Sequence, residues 1–139
     1  MSSYPAACTI GIERRTVPGE RAAAVKAELQ AILDATGRAD PDFRAERRTT
    51  LARGPFAVSE DTPIVSLVRH HAALATGRER RVYGDTPWMD AAFAAAAGIP
   101  TVVFGPGGTG AHAAEEWADL ESVRRCADVL LAVAAEFCA

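Results

Sequence analysis

The hexapeptide Ile99-Pro100-Thr101-Val102-Val103-Phe104 narrows the folds open to this chain more than any other stretch. It is apolar without alternation and lies between Gly98 and the glycine-rich segment Gly105-Pro106-Gly107-Gly108-Thr109-Gly110. Such a run suits a strand covered on both faces, as in a parallel sheet flanked by helices. Helical patterns surround it. Thr86 is a cap residue with Pro87 in the first-turn slot, where its missing N–H costs nothing, and that helix is expected to reach Ala97 and stop at Gly98. Asp119 is expected to cap a last helix to about Phe137, with Leu120, Val123, Ala127, Leu130, Ala134 and Phe137 on one face. Upstream, Ile64–Ala75 reads as a helix with Ile64, Leu67, Val68 and Leu74 as its apolar positions, and Arg81-Val82-Tyr83 as a short strand. Helices alternating with strands predict an α/β layer structure.

The first third reads as a separate strand–helix–strand unit. Thr9–Arg15 is strand-like and ends at the turn Val17-Pro18-Gly19. A helix from about Glu20 to Ala35 carries Val25, Leu29, Ile32 and Leu33 on one stripe, with Gly37 as its expected stop. Asp40-Pro41-Asp42 turns the chain into a second strand, Phe43–Thr50. The stretch from Arg53 to Pro63 reads as a linker. No internal repeat is present.

Composition removes several function classes. Fifteen basic residues face eighteen acidic ones, for a formal charge of −3. That balance argues against a nucleic-acid partner bound by phosphate neutralisation. No apolar stretch approaches the ~20 residues of a membrane span, and Met1–Cys8 lacks a secretory pattern, so no membrane association is expected. Three scattered cysteines make no paired framework and suit the reducing cytoplasm. Cys126 and Cys138 are expected on one helix, ~18 Å apart at ~1.5 Å per residue, too far to bridge. Lys26 is the only lysine and Asn is absent, which GC-rich coding explains, so the arginines alone do not signal an anion site.

The glycine loop has two readings from its residues. Glycines at positions one, three and six after a strand fit a dinucleotide loop. Against this, about eight residues separate the loop from the helix at Asp119, Pro106 removes a donor, and no second strand with an acidic residue follows. The other reading is a turn. Its exit is distinctive: His112, Glu115, Glu116 and Trp117 follow directly, where α/β sheets place their sites. One histidine is not a metal site, since zinc takes three or four ligands. His70 and His71 are adjacent on a helix, diverge by about 100° and belong on its surface.

Ala97–Gly107, then Ala111-His112-Ala113-Ala114-Glu115-Glu116-Trp117 and Asp119-Leu120, resemble the C-terminal signature of a family of zinc amidohydrolases and peptidases. This is the acetylornithine deacetylase, succinyl-diaminopimelate desuccinylase, aminoacylase and glutamate carboxypeptidase group. Trp88-Met89-Asp90-Ala91-Ala92 resembles that family's Thr-Asp-Ala segment, and Ile12–Glu20 the strand and turn that open the second half of its lid, or dimerisation, domain. The resemblance implies an α/β fold: part of a three-layer α/β zinc-peptidase catalytic domain in residues 54–139, and in residues 1–53 the strand–helix–strand second half of an α+β lid. It implies His112 as a zinc ligand, Arg53, Gly105 and Gly107 as substrate-binding residues, and Asp90 and Glu116 in support. Asp90 is equally a helix-start carboxylate favoured by the dipole, and Arg53 an exposed junction residue.

The family's chemistry is attack on an amide by a zinc-activated water, with a Glu as base and two zinc ions per complete site. Family members are roughly three times as long. The His-x-Asp pair, the bridging Asp, the Glu-Glu pair and the first half of the lid have no counterpart here. The expectation is therefore a truncated or split C-terminal piece of a cytoplasmic deacylase, inactive alone, for N-acyl amino acids or small peptides. Its partner is either a separate N-terminal half or further copies of itself. The alternative is a non-catalytic self-association module.

Overall fold

In a computed structural model of the protein, residues 5–139 are described. The part of the leader-free reading that concerns residues 1–4 lies outside them. The chain divides into a first unit ending at Pro55 and a second from Phe56 to Ala139.

The first unit is built on helix α1, Ala22–Ala39. It begins after a tight turn. The Glu20 N–H donates to the Val17 carbonyl at 3.0 Å, and the Val17 N–H donates to Glu20 Oε2 at 2.9 Å. Gly19 takes φ +95° there, a conformation that glycine adopts without a Cβ penalty. Arg14 closes the turn through an ion pair to Glu20 and a longer one to Glu28 at 3.7 Å. Gly37 does not stop the helix, which runs on to Ala39. The stop comes from Asp40-Pro41, because the residue before a proline is driven out of the helical region. The turn at 41–42 forms as expected. Val25, Leu29 and Leu33 are half-buried on one face, Ile32 is exposed, and no residue of α1 is fully buried.

The second unit is centred on two helices, α2 (Pro63–Thr76) and α4 (Leu120–Phe137). Each buries residues at three- and four-residue steps: Val65, Val68 and Ala72 on α2, Cys126, Val129 and Val133 on α4. Val68, Ala72, Val129 and Val133 form one cluster, against which Ile64, Leu67, Ala75, Val102 and Phe104 pack. His71 Nε2 lies 2.9 Å from Glu136 Oε2 and joins the two helices at their rim. α2 starts with Pro63 in its first turn and ends at Gly77, which takes the left-handed conformation expected of a glycine helix stop. α3 is short, Ala91–Ala96. It begins later than expected, after Asp90; Thr86 and Pro87 lie in a bend before it, with the Thr86 N–H turned to Asp85 Oδ1 at 2.7 Å. Gly98 ends this region at φ +79°.

Three expectations are corrected. First, the runs 9–15, 43–50, 81–83 and 99–104 form no ladder within the described residues. The sheet there has two strands, β1 (Gly108–Thr109) and β2 (Trp117–Ala118), paired antiparallel with Gly108 opposite Ala118. A strand pattern is a local preference, whereas a ladder needs a second segment beside it. Second, the 99–104 run is covered on one side. Val102 and Phe104 face the core, while Ile99 is 57% and Val103 47% exposed. Third, α4 buries a different stripe from the expected one. Leu120 and Leu130 stand out at 71% and 50% exposure, and the buried positions 126, 129 and 133 each precede by one the expected 127, 130 and 134. One residue is a rotation of about 100°. α4 thus carries two apolar stripes, of which this chain covers one. The result is helices with few strands, compatible with part of an α/β domain.

Candidate functional site

The glycine loop and the start of α4 form one hydrogen-bonded clasp. Asp119 caps α4, its Oδ1 accepting the N–H groups of Glu121 at 2.9 Å and Ser122 at 3.4 Å. The Asp119 N–H donates to the Gly107 carbonyl at 2.9 Å, and the Gly107 N–H donates to Ser122 Oγ at 2.7 Å. Both polar groups of Gly107 are therefore held by the first turn of α4. β1 and β2 then pair, and residues 110–116 close the loop between them.

Two glycines here are required by space. A Cβ on Gly108 would run into the Trp117 carbonyl oxygen, and one on Gly110 into the Glu115 carbonyl oxygen. Gly110 also takes φ +78°. These close approaches belong to the clasp itself. They account for the glycines in the second half of the loop without a pyrophosphate.

His112 sits at the tip. Its φ is 63°, the only positive value among the described non-glycine residues. An L-residue in this region costs about 1–2 kcal/mol. Two hydrogen bonds offset the cost. The His112 N–H donates to Glu116 Oε2 at 3.3 Å, and the Ala113 N–H donates to the Gly110 carbonyl at 2.7 Å. The His112 side chain is exposed. No paired parallel strand lies beneath it in the described residues.

The other expected site residues are placed as follows. Gly105 and Gly107 lead into the clasp, and a Cβ on Gly105 would meet nothing within 4 Å. Glu116 is drawn to His112. Asp90 precedes α3 and makes no side-chain cap, although its carbonyl accepts the Phe93 N–H at 2.9 Å. Arg53 belongs to the first unit, its Nη1 donating to the Ala52 carbonyl at 3.4 Å. Ser122 was not singled out by its sequence; a hydroxyl three residues after a cap aspartate, on a helix entered from a glycine loop, is the signal that marks it.

Zinc needs three or four protein donors or open positions around them. Among the described residues, no group of three or more His, Cys, Asp or Glu is placed to hold a metal ion. The residues present do not make a zinc site by themselves. His70 and His71 meet edge to face at 5.2 Å, and His71 turns to Glu136.

Two groups elsewhere have displaced ionisation. The Val17 N–H and the Arg14 guanidinium hold the Glu20 carboxyl below its usual range. Burial pushes the Cys126 thiol up. No helix among the described residues is long and apolar enough to cross a membrane.

Comparison with known proteins adds the lineage. Residues 3–136 match the family described as Peptidase family M20/M25/M40. The chain is 29% identical over 136 residues to an acetylornithine deacetylase of Myxococcus xanthus, a match covering 96% of this chain and 34% of that protein. The chain thus spans about a third of the length of the curated relative it matches. No solved structure matches. A family match over residues 3–136, nearly the whole chain, makes this protein a member of the M20/M25/M40 peptidase and amidohydrolase family.

Proposed function

We propose that these residues are the C-terminal portion of a zinc-dependent amidohydrolase acting on N-acyl amino acids or small peptides. Residues 1–53 are the second half of its lid, and 54–139 the closing segment of its three-layer catalytic domain. His112 is the one metal ligand present. Gly105, Gly107 and Arg53 bind substrate, and Asp90 and Glu116 support them. The remaining donors and the general base come from segments outside these 139 residues, and the assembled enzyme works in the cytoplasm.

The observation that carries this reading is the pair of uncovered apolar surfaces in a chain of this family. Val103 and Ile99 on one side of the 99–104 run, and Leu120, Leu130 and Leu131 on α4, are exposed, and covering by further layers of a larger domain would account for these apolar surfaces. The match to only a third of a deacetylase supports the same conclusion.

The test is complementation. The 139-residue chain, supplied with zinc, is assayed on N-acetylornithine and related N-acyl amino acids, alone and with a polypeptide carrying the family's His-x-Asp and Glu-Glu segments. The expected result is negligible turnover alone and zinc-dependent turnover after mixing. Robust turnover by the chain alone overturns the reading.

A second reading, self-association without catalysis, is favoured by Ile10 and Ile12, which alternate on an exposed strand-like run in the first unit. It predicts oligomers by light scattering. A compact monomer removes it.

A further inference from the structure

We propose that Glu116 and Ser122 are positioning residues that preset the backbone of the glycine loop, so that the His112 imidazole is presented at one fixed place. The inference rests on the reading of His112 as a site residue, but none of its evidence does.

The geometry leaves little freedom. At the entrance of the loop, Gly107 is held on both sides: its N–H by Ser122 Oγ at 2.7 Å and its carbonyl by the Asp119 N–H at 2.9 Å. Ser122 is itself oriented, because its own N–H is taken by the Asp119 cap. At the tip, His112 occupies the left-handed region, which a histidine does not hold without a reason. Its N–H donates to the Glu116 carboxylate, which reaches back across the loop from beside β2. Between these two ties, Gly108 approaches β2 and Gly110 the Glu115 carbonyl too closely to admit a Cβ without a shift. The backbone at position 112, and with it the Cα–Cβ bond that carries the imidazole, is thus held by a carboxylate four residues on and, through Gly107, by a hydroxyl ten residues on. Glu116 belongs to the segment that leads into α4 and Ser122 to the first turn of α4, and α4 buries three residues in the core, as α2 does. Each tie has an isosteric replacement. Gln at 116 keeps the acceptor oxygen without the charge, and Thr at 122 keeps the hydroxyl.

The experiment uses the 139-residue chain with NMR, without metal or substrate. Glu116→Ala is expected to raise hydrogen exchange at the His112 amide at least ~10-fold and to move the His112 ring resonances, while amides of Val129 and Val133 stay protected. Glu116→Gln restores both signals. Ser122→Ala does the same to the Gly107 amide, and Ser122→Thr restores it. An unchanged His112 amide and ring in Glu116→Ala overturns the proposal. A negative amidohydrolase assay bears on the proposed function alone, since none of these signals depends on turnover.

Discussion

The three cysteines show how far burial alone separates residues of one type. Cys8 and Cys138 are exposed, while Cys126 is buried on α4. The thiolate is the reactive form, and burial disfavours it. With a thiol reagent at neutral pH, two groups are expected to react quickly and Cys126 only after denaturant opens the second unit. Fast labelling of all three would contradict the packing. Glu20 poses the opposite case. Its carboxylate is favoured by the Val17 N–H first and Arg14 second, so its folded pKa lies below its unfolded value. The stabilisation is therefore complete above the ordinary Glu range and is lost as pH falls through the depressed value. An NMR titration should find Glu20 titrating below the ordinary Glu range, with the Val17 amide shift following it. Glu20→Gln should abolish that acid-range change.

At the scale of elements, the informative object is α4. Its two apolar stripes are indistinguishable by hydropathy, since both repeat at three and four residues. The neighbour decides between them: Val129 and Val133 meet Val68 and Ala72 on α2. Val129→Ala is expected to cost about 1–3 kcal/mol in denaturant unfolding, from lost burial plus the space left behind. Leu130→Ala, one residue away, is expected to stay within about 0.5 kcal/mol, because half of that side chain is already in water. Equal costs would mean that the buried stripe is misassigned. If segments that cover the outer stripe are added, the Leu130 substitution becomes the costly one. The helix ends follow simpler rules. Asp119, Gly77 and Gly98 act where their chemistry predicts. Gly37 does not, because glycine permits a left-handed stop without imposing one, whereas Pro41 removes the helical option for Asp40.

At the scale of the molecule, the described residues form two units and one clasp. Without a ladder beside it, the 99–104 run has no strand partner to protect its backbone. Its amides at Thr101–Phe104 are expected to exchange at rates close to those of the loops, well ahead of Val129 on α4. Binding of complementary segments should slow them, and strong protection in the chain alone would refute the one-sided covering. The family, the helices of both units, the cap at Asp119 and the glycine loop leading to His112 were all legible from residue order, because caps, turns and short motifs depend on neighbours a few positions away. Three things were settled only by the folded chain: which stripe of α4 turns inward, which of the strand-like runs find a ladder, and how Ser122 and Glu116 tie the loop. Each depends on groups far apart along the chain or on a partner segment being present. Hydrophobic pattern says that a surface is to be buried, and only tertiary contact says against what.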